Sequence, residues 1–180
     1  MSEGWSVADD WDQTRLWVFG RHGPDPGYGL WHRSATGPVR LAVARALMTE
    51  YGTELVVSGT VWTYARRPKR GLAEHSEHNH CVALDVNPPS NPVTLDGQVI
   101  TDLDRFGLED GAAFVAAFLS SGFRWGGTFG TDPDEAREAL GSKHASGRAG
   151  RVDPMHFELA LDPEAVAARD WEAEIAAARP

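Results

Sequence analysis

The sequence predicts an α+β fold: one small domain, residues 1–180, built round a central antiparallel sheet. Three observations predict it. At 180 residues the chain can bury one real core and has little room for two. Short apolar runs that read as strands are mixed at irregular intervals with stretches of helical periodicity, without a strand–helix–strand rhythm. No repeat, low-complexity tract or linker divides the text.

Each element follows in order. "TRLWVFG" (14–20) alternates loosely and reads as a strand. "RHGPDPGYGLWHRSATG" (21–37) is punctuated by Gly and Pro and reads as loop. From Pro38 the spacing turns helical: Val39, Val43, Ala46 and Leu47 share a face, Pro38 suits the first turn and Gly52 the stop. "TELVVSG" (53–59) is a short apolar run and predicts a buried strand. "HCVALDV" (80–86) predicts a second strand, and "DGAAFVAAFLSSGF" (110–123) an apolar helix closed by Gly122. "DPDEAREALG" (132–141) reads as a helix capped by Asp132, with Gly141 at its exit. "MHFELAL" (155–161) predicts a further strand. A C-terminal helix follows over 162–178, capped by Asp162.

Composition narrows the function classes. A net charge of -9 argues against a nucleic-acid or anionic-membrane partner, because both call for a basic surface. Fifteen Arg stand against two Lys, Lys69 and Lys143, which with abundant Ala and Gly suggests a GC-rich genome. A lone Cys81 excludes an intrachain disulfide. "MSEGWSVADDWDQ" is acidic and has no apolar run, so no signal peptide is expected. No stretch approaches the ~20 apolar residues of a membrane helix. The expectation is a monomer made in the cytoplasm, without membrane insertion.

The chemistry concentrates in "HSEHNHCVALDV" (75–86) and "DPMHFE" (153–158). A zinc hydrolase takes three protein ligands from His, Asp and Glu and leaves a position for water. His78 and Asp85 are seven residues apart, a spacing that lets a residue before a strand and one on it approach one point. His156, on another predicted strand, could complete the set. Asp153 stands three residues upstream of it, where a carboxylate can act as a general base without being a ligand. A run of surface histidines would look similar, and spacing alone leaves both readings open.

The text itself is more specific. "SEHNHCVALD" fits the pattern S-x-H-x-x-G-x-A-x-D, with Cys81 in place of the glycine, and "DPMHFE" fits D/E-x-x-H-F-E. "GFRWGG" (122–127) between them resembles a Trp-Gly-Gly turn that precedes the second motif. Together, over roughly residues 55–160, these resemble the zinc peptidases that include D-alanyl-D-alanine carboxypeptidases, vancomycin-resistance D,D-peptidases and the L-alanyl-D-glutamate peptidases of phage endolysins. The resemblance implies a hedgehog/D,D-peptidase-like domain whose sheet carries the ligands of one Zn2+. It implies His78, Asp85 and His156 as the ligands and Asp153 as the catalytic base. It leaves Ser76 to shape the turn and Glu158 to support the site. His75 and His80 match no ligand position. His80, two residues from His78, could approach the metal if the chain there is extended; the favoured expectation is that it packs against the strand's other end or meets solvent.

The chain also departs from the pattern. Where the family has S-G-x-R, Ser58 and Gly59 fit, but Val61 replaces the arginine. Arg66, Arg67 or Arg70 could stand in for it, or none. At Cys81 a glycine would allow an unusual backbone angle or close packing; cysteine satisfies only the second easily. Residues 128–152, a helix followed by a Gly/Ser/Arg-rich loop, read either as a lid or as a surface elaboration.

The resemblance implies a zinc peptidase that cuts peptidoglycan stem peptides. Asp153 takes a proton from the attacking water and hands it to the leaving amine. The bond is L-Ala-D-Glu, D-Ala-D-Ala or a cross-bridge with diaminopimelate. A phage endolysin, passing to the wall through phage-made membrane holes, is the leading expectation. The rivals are a bacterial D,D-carboxypeptidase or dipeptidase and a non-catalytic zinc-stabilised virion or binding module.

Overall fold

The computed structural model describes residues 4–5, 13–22, 25–65, 76–88, 90–91, 108–129 and 153–179. Within them lie two antiparallel sheets and several helices, an α+β arrangement as expected. Strands β1 (Gln13–His22) and β2 (Asp25–His32) form a hairpin. Strands β3 (Val61–Trp62), β4 (Ala83–Val86), β5 (Phe123–Trp125) and β6 (His156–Leu159) form the second sheet, in the order β3-β4-β6-β5. The helices are α1 (Thr36–Ala46), α2 (Glu50–Ser58), α3 (Leu108–Leu119), α4 (Pro163–Ala167) and α5 (Trp171–Ala178).

The four-stranded sheet is two-faced, because residues directly opposite on antiparallel strands share a face. The pairs Val61↔Val86, Leu84↔Phe157, Trp125↔Phe157 and Phe123↔Leu159 put large apolar side chains on one side. There Phe157 meets Phe118 of α3 at 4.6 Å between ring centroids, and Phe114 at 6.0 Å. The pairs Trp62↔Asp85, Asp85↔His156 and Ala83↔Glu158, with Glu158↔Arg124, put nearly every polar residue of the sheet on the other side. The apolar face holds the sheet in place, and the polar face is left for chemistry.

Four expectations are corrected. The stretch 21–37 is not all loop, since Asp25–His32 is strand β2. Gly29 serves close packing rather than turning: a Cβ there would lie 2.5 Å from Thr63 Cγ2, whereas Gly27 sits at φ +71°, which favours glycine. "TELVVSG" is not a strand but most of helix α2. Thr49 caps that helix by accepting the Gly52 N–H at 3.0 Å, and Tyr51 and Leu55, one turn apart, are both buried. Tertiary packing here outweighs the β preference of Val56 and Val57. Gly52 therefore ends no helix; it lets the chain double back, since a Cβ there would lie 1.9 Å from the Ala46 carbonyl oxygen. The expected C-terminal helix is two. Asp162 caps α4 and Asp170 caps α5, accepting from Ala165 N–H at 2.7 Å and Ala173 N–H at 3.1 Å. The Trp171 indole N–H folds back onto the Val166 carbonyl at 2.7 Å.

Other expectations agree with what is seen. Strands occupy parts of 14–20, 80–86 and 155–161. Helix α3 is followed by Gly122 at φ +92°, a left-handed exit that favours glycine. The expected helix over 132–141 lies outside the described residues. No described helix is long and apolar enough to cross a membrane.

Candidate metal centre

Ser76 begins the site. Its hydroxyl accepts the His78 N–H at 3.4 Å and opens a short 3-10 turn, Glu77–His80, before β4. The turn ends at Cys81, which sits at φ +56°, ψ +39°. This left-handed conformation explains the glycine in the motif; cysteine holds it at a cost of roughly 1–2 kcal/mol. The Cys81 side chain is fully buried, and burial pushes the thiol up to about 12. Its carbonyl accepts the His32 N–H at 2.8 Å, tying the turn to β2.

The turn aims His78 and β4 aims Asp85 at one point, and β6 brings His156 to it. His78 Nε2 lies 3.2 Å from Asp85 Oδ1 and 3.2 Å from His156 Nδ1, and the third side, His156 Nδ1 to Asp85 Oδ1, is 3.0 Å. All three residues are buried, and they form a group that could hold a metal ion.

The outer nitrogens decide what the inner ones can do. His78 Nδ1–H donates to the Thr63 carbonyl, which can only accept. His156 Nε2–H donates to Glu158 Oε2 at 2.9 Å. With those protons outward, His78 Nε2 and His156 Nδ1 can both offer lone pairs inward, beside a carboxylate oxygen, once the proton that His156 holds in the zinc-free protein has left. Three acceptors converging on one point repel one another unless a proton or a metal ion lies between them. The residues therefore fit a metal ion, and the outward bonds are of the kind that orient metal-binding imidazoles. The spacing fits too: ligand atoms about 2.0 Å from a tetrahedral zinc lie roughly 3.3 Å apart.

The electrostatics agree. Burial by itself would lower the affinity of His156 for a proton, but hydrogen bonds and attraction from Asp85 and Glu158 outweigh it and raise its pKa to about 10. Burial would raise the Asp85 pKa, but its bonds to His156 and His78 hold it well below the carboxylate range. Glu158 is likewise held low, against burial, by His156 and Arg124. The pocket attracts positive charge strongly.

Asp153 stands beside this triangle rather than in it. It is half-buried and fixed by its backbone: its N–H donates to the Gly126 carbonyl at 2.9 Å, and its own carbonyl accepts the His156 N–H at 3.0 Å. The Trp-Gly-Gly turn explains itself here. The Trp125 indole N–H donates to the Pro154 carbonyl at 2.7 Å, and a Cβ on Gly126 would come within 2.2 Å of the Asp153 carbonyl oxygen. Only glycine lets the two segments lie this close.

His80 is buried rather than solvent-exposed and does not join the triangle. His75, Arg66, Arg67, Arg70 and residues 130–152 lie outside the described residues. Val61, in the arginine position, is buried on the core face, while Trp62 beside it is 52% exposed on the polar face opposite Asp85. Two participants escaped the sequence reading. Thr63 acts through its backbone, which no residue type betrays. Arg124, ion-paired to Glu158, occupies the variable position before Trp-Gly-Gly.

A family model described as D-alanyl-D-alanine carboxypeptidase matches residues 70–136. That span includes Ser76, His78, Asp85 and the Trp-Gly-Gly turn, and ends before Asp153 and His156. The chain is thus similar to a family of peptidases both in this segment and in its motifs. Comparison with curated proteins gave no match, and neither did comparison with solved structures.

Proposed function

We propose, from this likeness to the D-alanyl-D-alanine carboxypeptidase family, that the chain is a zinc-dependent peptidase acting on peptidoglycan stem peptides, with residues 1–180 as one catalytic domain. The observation that carries the proposal is the convergence of His78 Nε2, Asp85 Oδ1 and His156 Nδ1 within 3.2 Å of one another.

His78, Asp85 and His156 hold the ion. A bound zinc ion supplies Lewis acidity, polarising the scissile carbonyl and making water acidic enough to react near neutral pH. Thr63 and Glu158 keep both imidazoles turned inward, so neither ring has to reorganise. Asp153 takes the proton from the attacking water and delivers it to the departing amine. The Gly126 contact and the bond to the His156 N–H hold the Asp153 backbone in step with the ligand strand. Trp62, exposed on the same face, offers the substrate an apolar wall.

The finer reading is an endolysin-type activity on the L-Ala-D-Glu or a related bond; the pairing of "WGG" with "DPMHFE" supports the endolysin type and leaves the bond open. Digestion of purified sacculi, with new termini identified by mass spectrometry, tests both levels. New amino termini that vanish with chelator and return with zinc are expected, and the released residue names the bond. No new termini from any wall chemotype would overturn the peptidase and favour a zinc-stabilised binding module.

A further inference from the structure

Arg124 touches both groups that hold the His156 ring. Its Nε and one terminal nitrogen bind Glu158 Oε1, while Glu158 Oε2 takes the His156 Nε2–H at 2.9 Å. Its guanidinium also lies 5.4 Å from the centre of the Phe129 ring. Phe129 in turn meets the His156 ring edge-on, at 5.8 Å between centroids and 63° between planes. One cation thus closes two short chains, Arg124–Glu158–His156 and Arg124–Phe129–His156.

The backbone explains how. Arg124 and Glu158 are register partners on β5 and β6, so the pair forms wherever the sheet forms. The turn Gly126–Thr128 then carries the chain back, so that Phe129 returns beneath the guanidinium. The Glu158 side chain is only 6% exposed, whereas Arg124 is 45% exposed. Without its arginine, Glu158 would be a buried carboxylate with a single imidazole N–H for a partner, and would draw water or rotate toward it.

We propose that Arg124 is a positioning residue for the metal site, resting on the reading of His156 as a ligand. By clamping Glu158 and Phe129 it locks the His156 ring with Nε2–H outward and Nδ1 free for the ion. Arg124 sets how tightly and through which nitrogen the ion is held, while touching neither ion nor substrate.

The test is zinc affinity, measured by competition with a chromophoric chelator, on wild type and Arg124→Gln. Losing such a supporting contact typically costs about 10–100-fold in metal affinity, and that loss is expected. A purely structural role would lower the melting temperature of the zinc-free protein yet leave the affinity of the folded fraction unchanged. If Arg124→Gln does not fold, Arg124→Lys decides. Lysine keeps the charge but lacks the planar guanidinium that meets Glu158 along one edge and covers Phe129 with its face. A several-fold loss is expected there, and affinity equal to wild type overturns the clamp. Nitrogen-15 shifts of His156 in zinc-loaded wild type should show Nδ1 on the metal and Nε2 protonated; the opposite tautomer also overturns it. A wild type that binds zinc beside an Arg124→Gln variant that binds it equally well overturns this proposal alone. A wild type that takes up no zinc overturns it together with the metal reading.

Discussion

Asp85 and His156 are direct register partners on neighbouring antiparallel strands, and Asp85 Oδ1 lies 3.0 Å from His156 Nδ1. Two residues 71 positions apart in sequence meet because the sheet pairs β4 with β6. The sheet's apolar face, Leu84 against Phe157, therefore sets the distance between them as firmly as any contact on the polar face.

His156→Ala should abolish stoichiometric zinc. It also leaves Asp85 and Glu158 buried without the imidazole between them, a change that commonly costs about 3–5 kcal/mol. Metal analysis after dialysis and urea unfolding check both effects. Full zinc occupancy in the variant would remove His156 from the ligand set.

The pH dependence follows from the same cluster. In the zinc-free protein Asp85 and Glu158 have lowered pKa values. Their contribution to stability is present above the unfolded carboxylate range of about 4 and is lost as pH falls through the folded values. The His156 pKa is raised to about 10. Its contribution is complete below the unfolded value of about 6.5 and is lost as pH rises towards the folded one. The cluster thus stabilises the zinc-free fold most between roughly pH 4.5 and 6.5. Zinc must displace the His156 proton, so its affinity should rise with pH above that window. Melting temperatures with zinc and with chelator, taken at pH 6, 7 and 8, should move apart. A constant gap would mean that no proton is exchanged.

Cys81 is a backbone problem more than a chemical one. Cys81→Ala should keep zinc and most activity. Cys81→Val should cost at least about 2 kcal/mol, because a β-branched residue tolerates the left-handed region poorly. With its pKa pushed up to about 12, the buried thiol should not react with a thiol reagent in the folded protein at pH 8. Rapid labelling without unfolding would contradict that.

Gly126→Ala should destabilise the protein by about 1–3 kcal/mol through overpacking against the Asp153 carbonyl. Activity should fall further than stability explains, since Asp153 and the His156 N–H move together. Chemical unfolding beside turnover at matched folded fractions separates the two.

These particulars show what the sequence made legible. His78, Asp85 and His156 stood out because a buried cluster needs rare residue types at fixed offsets from strands, and strands β4 and β6 alternate apolar residues with the polar ones of the site. Strand β2 was hidden because Gly27 and Gly29 read as turn punctuation, although Gly29 answers to the approach of Thr63. Helix α2 was hidden because Val56 and Val57 favour strands locally, while its fate depends on Tyr51 and Leu55 meeting distant partners. Arg124 was invisible because its role exists only in the cross-strand register with Glu158.

Asp153→Asn separates an enzyme from a zinc-stabilised module. Asp153 is not one of the three converging residues, so the variant should retain zinc. Its backbone bonds to Gly126 and His156 do not involve the carboxylate, so the fold should persist and the melting temperature should shift little. Asparagine keeps the shape but cannot accept a proton from water. Loss of a general base commonly costs about 10²–10⁴-fold in rate. Here the same group serves again at the leaving amine, which places the loss at the upper end. Zinc content, melting temperature and peptidoglycan hydrolysis should be compared for wild type and variant. A variant that holds zinc, melts like wild type and cuts as fast would show that the proton goes elsewhere. A variant that loses zinc would instead place Asp153 among the ligands.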